Sequence, residues 1–345
     1  MREMLAAVFK GNGVLEVEKI PVPKISAPTD VLIRVRAASI CGSDIHGLHV
    51  PPGQIFTPNI VYGHEFFGEV VETGERSLGF QVGDVVAVNP CMPCGECFDC
   101  VNNRSNLCVN PYHYGQTCDG GFAEYALVDA GQLYHLPKDI SPDIAAQTEP
   151  LACVMSGMVR IQPMPTDRVL LYGAGPIGLT FIRALKLFGV QNLAVVAKGA
   201  ARIRQAKECG ADLVIDSQAG DVKEALLSAW GCLADVAIDA VGTGPIFSQI
   251  LELMNARGRV LLFGYNRNAM SQVPPFLFTS KELTVTGVLG KDFPRAIAMM
   301  QNKELGLDQF ISHRFALKDI QEAFRLLMNK EGCRIIVYPD GVFPA

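Results

Sequence analysis

Four cysteines, Cys94, Cys97, Cys100 and Cys108, crowd a stretch rich in Pro, Gly and Asn with the spacing C-x2-C-x2-C-x7-C. Thiolates gathered this tightly suit a closed tetrahedral zinc site, which has no open position and stabilises the loop that carries it. An iron–sulfur cluster is the alternative, since it too is held by cysteines. Cys91 precedes the run out of register and reads as a separate thiol, and Cys118, Cys153, Cys209, Cys232 and Cys333 read as small buried apolar groups.

A second stretch, Leu170-Leu171-Tyr172-Gly173-Ala174-Gly175-Pro176-Ile177-Gly178, is an apolar run that enters G-x-G-x-x-G and then a helical pattern. Gly173 permits a tight turn, Gly175 lets backbone approach a pyrophosphate, and Gly178 lets helix pack closely on strand. The helix opened by Pro176 and Ile177 turns its N-terminus to the anion. A dinucleotide is the implied ligand, with Val241 and Gly264, at the ends of two later apolar runs, completing its expected lining. About 20 residues beyond the third glycine, an Asp or Glu usually reads the adenosine ribose. Here the run NLAVVA ends in Ala197-Lys198-Gly199, with Arg202 following and no carboxylate. Lys198 and Arg202 suit a 2′-phosphate through charge-assisted hydrogen bonds, so NADP is expected over NAD. Solvated surface cations are the plain alternative.

Cys41 in CGSDIHG, His64 and Glu65 in GHEFFGEV, and Glu149 in EPLA are also of metal-binding types, but they are scattered, and spacing alone does not join them.

These groups need elements to position them. A chain of 345 residues suits two domains. From Val31 to Ala38, VLIRVRAA alternates apolar and charged residues, and Phe66–Glu72 follows suit, so the first part is strand-rich. Between about Asp167 and Phe263, short apolar runs (VLLYG, NLAVVA, DLVID, DVAIDAVG, RVLLFG) alternate with helical stretches, the mark of βαβ units. LTVTGVLG, an amphipathic DIQEAFRLLMNK and a final strand CRIIVYP follow. The expected fold is α/β: a doubly wound parallel-sheet (Rossmann) cofactor domain at 151–288, inserted in a mainly β domain made from 1–150 and 289–345.

The net charge of −5 gives no basic footprint for nucleic acid. The longest conspicuous charge-free apolar run, Val169–Ile182, is shorter than the ~18–20 residues of a membrane span. No secretory signal is legible at the start, so the cytoplasm is the expected compartment. Eleven cysteines in such a chain suit metal ligands and free thiols better than a disulfide framework.

CGSDIHG, GHEFFGEV, the four-cysteine loop, DGGFAEY, EPLA and GAGPIG occur in the order and at the separations typical of the zinc-dependent medium-chain dehydrogenase/reductase superfamily, which the chain resembles over nearly its whole length. The EPL-type acidic segment is most similar to the sorbitol and polyol dehydrogenase branch. The resemblance implies a GroES-like catalytic domain with catalytic zinc on Cys41, His64 and Glu65 or Glu149, and structural zinc on the four cysteines of the loop. It implies that Asp44 orients the zinc histidine, and that Ser43 and His46, with His49 nearby, carry the alcohol's proton outward. The implied reaction passes a hydride between a secondary alcohol (a polyol, sugar alcohol or sugar-acid-like substrate) and NADP(H) or NAD(H). Threonine-type amino-alcohol dehydrogenases share most of these motifs and are the alternative. A non-catalytic zinc-binding structural protein would leave the glycine loop and the CGSD and GHE segments unexplained. Where sorbitol dehydrogenases carry an Arg-Tyr pair, this chain has Gly290 and Lys291, which departs from sorbitol and offers a cation to a carboxylate or phosphate. The family's habit implies a homodimer or homotetramer, with LTVTGVL as the strand pairing across a two-fold axis.

Overall fold

The computed structural model describes residues 2–54 and 56–344, and these form two compact units. The first takes in the described residues up to Ala152, Phe293–Gln301 and those from Leu307 onward; the second is Cys153–Asp292 with Asn302–Gly306.

Strands and helices are numbered along the chain. In the first unit β1 (Glu3–Gly11), β2 (Val14–Pro21) and β4 (Ile60–Val61) form a small antiparallel sheet, in the order β2-β1-β4. The larger sheet runs β10-β6-β5-β3-β18-β17, built from β3 (Asp30–Ser39), β5 (Glu65–Thr73), β6 (Val85–Val88), β10 (Leu133–His135), β17 (Ile311–Ala316) and β18 (Arg334–Tyr338), with β9 (Tyr125–Asp129) also paired to β3. The alternation in VLIRVRAA explains β3. Val31, Ile33 and Val35 turn into the core, and Arg34 and Arg36 stay at the surface. Helix α11 (Ile320–Met328) buries Ile320, Ala323 and Phe324 on one face. It carries the chain from β17 to the parallel, wholly buried β18.

A lobe formed by β7 (Cys91–Met92), α2 (Phe98–Val101), a 3-10 turn at Ser105–Leu107 and β8 (Tyr112–His113) contributes little to this core; neither α2 nor the 3-10 turn buries a residue. Helix α1 (Gly42–Leu48) follows β3, while α3 (Pro142–Ala145) and α4 (Thr148–Ile161) lead to the second unit.

The second unit is a doubly wound parallel sheet, β13-β12-β11-β14-β15-β16, made by β11 (Arg168–Tyr172), β12 (Asn192–Ala197), β13 (Leu213–Asp216), β14 (Ala234–Asp239), β15 (Met254–Leu262) and β16 (Thr284–Gly287). Helices α5 (Pro176–Leu187), α6 (Ala200–Glu208), α7 (Val222–Trp230), α8 (Gly244–Glu252) and α9 (Phe276–Lys281) make the crossovers. Each apolar run singled out in this part of the sequence is one of these strands. The central two, β11 and β14, are mostly apolar because helices cover both faces, with charge confined to Arg168 of β11 and Asp235 and Asp239 of β14. The strand order reverses between β11 and β14, the switch point where such sheets bind ligands at their carboxyl ends. Among the described residues no helix is long and apolar enough to cross a membrane.

Candidate active site

Two neighbouring strands assemble the first constellation. Cys41 follows the end of β3, and His64 and Glu65 stand at the start of β5, whose antiparallel register sets Ser39 opposite Glu65. Gly63, at φ +87°, makes the bend before His64; a Cβ there would strike the Phe122 ring. One donor atom each from Cys41, His64 and Glu65 lies within 4.8 Å of the others, a thiol, an imidazole and a carboxylate converging as zinc ligands do.

Asp44, fully buried in α1, ties two of these residues together. Its Oδ2 accepts the Cys41 N–H at 3.0 Å and its Oδ1 faces His64 Nδ1 at 3.0 Å. A carboxylate only accepts, so Nδ1–H donates and Nε2 is the nitrogen left to face a metal. Burial alone would lower the His64 pKa, but Asp44 and Cys41 outweigh it and hold the imidazole well above its usual range. Burial, then Glu65, pushes the Cys41 thiol up. Neighbouring groups that hold on to protons in this way form a site short of positive charge, and a divalent cation relieves both.

Glu65 Oε2 meets Ser39 Oγ and, at 2.9 Å, Arg334 Nη1 at the start of β18; both members of this ion pair are buried. The His113 ring of β8 stands edge-on to His64, with centroids 5.6 Å apart. Ser39, Arg334 and His113 were not singled out in the sequence. The one available signal was Arg334, the lone charge opening the apolar run RIIVY. Glu149 is buried in the first turn of α4, and it is not one of the three converging residues. Ser43 is half-buried in α1; His46 and His49, near the end of α1, are exposed, with ring centroids 5.7 Å apart. Partial desolvation, then His49, lowers the His46 pKa.

In the lobe, Cys94, Cys97, Cys100 and Cys108 converge within 4.8 Å as free thiols. Their closest sulfurs lie 3.4 Å (Cys97–Cys100) and 3.9 Å (Cys94–Cys100 and Cys97–Cys108) apart. A single tetrahedral ion with about 2.3 Å bonds sets its sulfurs about 3.8 Å apart, so the set fits one zinc. The backbone N–H groups of Cys97, Cys94 and Asn110 point at these sulfurs. Hydrogen bonds of this kind, first from the Val109 and Cys100 amides, hold Cys97 down to about 6, while burial and the neighbouring thiols push Cys100 up to about 12. Without a cation the four cannot all ionise. Cys91 lies outside the cluster, opposite His113 in the β7–β8 pair. Of the cysteines read as buried, Cys209 and Cys333 are so, and Cys118, Cys153 and Cys232 are only half-buried.

In the second unit, Gly173 turns at φ +99° after β11, and a Cβ on Gly178 would collide with its carbonyl oxygen. Around Gly175 a Cβ would project into open space, leaving a backbone cradle before Pro176 and Ile177 begin α5. The Val241 side chain lies against Gly173, and Gly242 and Gly264 touch backbone to backbone at the ends of β14 and β15. This arrangement fits a dinucleotide pyrophosphate. Lys198 is exposed after β12, and Arg202, half-buried in α6, donates to Gln205 Oε1 at 3.3 Å.

Family models agree with this geometry. Residues 27–138 match the alcohol dehydrogenase GroES-like domain and 176–302 the zinc-binding dehydrogenase family. The chain is 35% identical to the L-threonine 3-dehydrogenase of Pyrococcus abyssi, over 95% of this chain and 96% of that one. It is 30% identical to the sorbitol dehydrogenase of Halalkalibacterium halodurans, over 95% and 97%. Among solved structures, a candidate zinc-binding dehydrogenase of Sinorhizobium meliloti 1021 bound to NADP superposes with a TM-score of 0.92 (31% identity, 98% and 100% covered). A short chain alcohol dehydrogenase of Escherichia coli CFT073 complexed with NADH does so with 0.90 (30% identity, 97% and 99% covered). The chain belongs to the zinc-dependent medium-chain dehydrogenase/reductase superfamily, in its sorbitol and polyol dehydrogenase-like branch, and is an NAD(P)-dependent alcohol oxidoreductase.

Proposed function

We propose that this chain oxidises a secondary alcohol bearing further polar groups, a polyol, sugar alcohol or sugar-acid-like compound, and that its preferred acceptor is NADP. The reading is carried by the convergence of Cys41, His64 and Glu65, with Asp44 holding two of the three in place. Bound there, with Glu65 or Glu149 as the carboxylate ligand, zinc supplies the Lewis acidity that makes an alcohol ionisable near neutral pH. Asp44 fixes the His64 tautomer, and Arg334 holds the Glu65 carboxylate in place with a buried 2.9 Å ion pair. Ser43 and His46 carry the released proton outward, a role the lowered His46 pKa favours because the ring is neutral and able to accept at pH 7. The four cysteines hold a second, structural zinc.

NADP is favoured because β12 ends in Ala197 with no carboxylate, and Lys198 and Arg202 follow it. The edge position of β16, which among the described residues pairs only with β15, supports a homodimer or homotetramer formed by strand pairing. An amino-alcohol substrate of threonine type is the second reading, favoured by the 35% identity to the archaeal threonine dehydrogenase. Polyols, sugar acids, sugar phosphates and amino alcohols, assayed with each cofactor after zinc quantification, decide between the two. Turnover confined to amino alcohols overturns the polyol assignment.

A further inference from the structure

Asp239 is the last residue of β14 and is buried, 2% exposed. Two parts of it hold two different loops. Its side-chain Oδ1 accepts the N–H groups of Val241 and Gly242 at 2.9 and 2.8 Å, and its main-chain oxygen accepts those of Phe263 and Gly264 at 3.0 and 2.8 Å. The first pair opens the crossover from β14 to α8, and the second follows the end of β15. Where the loops meet, their backbones touch. Gly242 turns at φ +79°, a Cβ on it would stand 2.6 Å from the Gly264 carbonyl, and a Cβ on Gly264 would stand 2.3 Å from the Gly242 nitrogen. Four hydrogen bonds to one residue thus join the two loops into a single piece.

That piece carries Val241 at the carboxyl edge of the sheet. The Val241 side chain leans on Gly173 of the glycine loop, where an added Cβ would stand 2.8 Å from it, yet it is 42% exposed. An apolar side chain left open beside a dinucleotide loop offers a surface to a flat ring. The pyrophosphate takes the start of α5 and the adenosine ribose the end of β12, so the adenosine half lies on the β12 side of the switch point. The nicotinamide half then falls on the β14–β15 side, where the joined loops stand. Burial pushes the Asp239 carboxyl up, against the pull of its two N–H donors, so the fold alone gains little from an acid here. What the acid secures is the shape of the loops.

We propose that Asp239 is a positioning residue for the nicotinamide half of the cofactor, holding the loops after β14 and β15 so that Val241 forms the apolar wall on which the ring rests. This rests on the dinucleotide reading of the glycine loop and assigns the part of the fold that places the reacting ring. The test is Asp239→Ala and Asp239→Asn in the full zinc-loaded chain, with calorimetric affinities for AMP, nicotinamide mononucleotide and NADP. In Asp239→Ala, affinity for NADP and the mononucleotide is expected to fall about tenfold, the order of one hydrogen bond to a charged group, with AMP unaffected. Asp239→Asn keeps an acceptor of the same shape and should restore both to within about threefold of wild type. Unchanged NADP affinity in the alanine variant overturns the proposal, as does an equal fall for AMP, which marks a general loosening of the sheet. An asparagine variant as weak as the alanine one also overturns it, since the acceptor would then not be what matters. Should Asp239→Ala fail to fold, Val241→Ala, which leaves all four hydrogen bonds in place, carries the test: a loss for NADP and the mononucleotide but not for AMP supports the proposal, and unchanged affinities overturn it. A wild-type chain that binds neither AMP nor NADP overturns the dinucleotide reading together with it.

Discussion

Asp44 reaches the backbone of Cys41 with one oxygen and the ring of His64 with the other, so both residues lose their alignment if it changes. Asp44→Asn keeps the shape but offers a single acceptor, and zinc affinity measured by chelator competition should drop about 10–100-fold. Unaltered affinity would show that the ligands align without it. Arg334 and Glu65 make a buried pair, and removing one partner strands the other's charge. Arg334→Met should cost about 3–5 kcal/mol in urea unfolding, with Glu65→Gln in the same chain restoring part of the loss. At His46 the sign follows from its lowered pKa. The ring is neutral above that value and protonated below it, so the acidic limb of kcat/KM should fall below pH 6.5, the ordinary imidazole value. His49→Asn removes a group that lowers this pKa, so the limb should move to higher pH. His46→Gln should erase the limb and lower kcat/KM by about 10²-fold. A limb indifferent to both changes removes His46 from the relay.

At the scale of elements, the four-cysteine lobe has almost no apolar interior, so a metal held by its four thiols would take the part of a core. Cys100→Ser or chelation should therefore open the 91–113 stretch to proteolysis and lower Tm, with cofactor binding little affected. A lobe that stays protease-resistant without metal contradicts this. Both the lobe and the glycine loop were legible in the sequence because each draws its residues from one short segment. The strands of the doubly wound sheet were legible for the same reason, as apolar runs bounded by glycine, proline and charge. The Cys41–His64–Glu65 set was not, since it is made by the register of β3 on β5, which periodicity does not reveal; family resemblance had to join it. Arg334 is farther out of reach, 269 residues from Glu65 and brought beside Ser39 only because β18 pairs with β3. Which of Glu65 and Glu149 converges with Cys41 and His64 was likewise invisible, because both are acidic residues in short motifs and only the packing of β5 brings Glu65 to that pair.

For the molecule as a whole, one unit carries a sheet whose glycine loop fits a dinucleotide and the other a cluster of metal-ligating types. Its cofactor choice should show in the pair Lys198→Ala and Arg202→Ala, which should lower kcat/KM for NADP by about tenfold or more while changing that for NAD little. Equal losses with both cofactors would mean that neither residue reads a 2′-phosphate. Alcohol oxidation at the Cys41 cluster is checked by following nicotinamide reduction with a panel of secondary alcohols in zinc-loaded wild type and Cys41→Ser, with cofactor affinity measured on both. Alcohol-dependent reduction is expected in wild type, with its abolition in a Cys41→Ser chain that is folded and still binds cofactor. A fully metallated wild type that turns over no alcohol, or a Cys41→Ser chain as active as wild type, would contradict it.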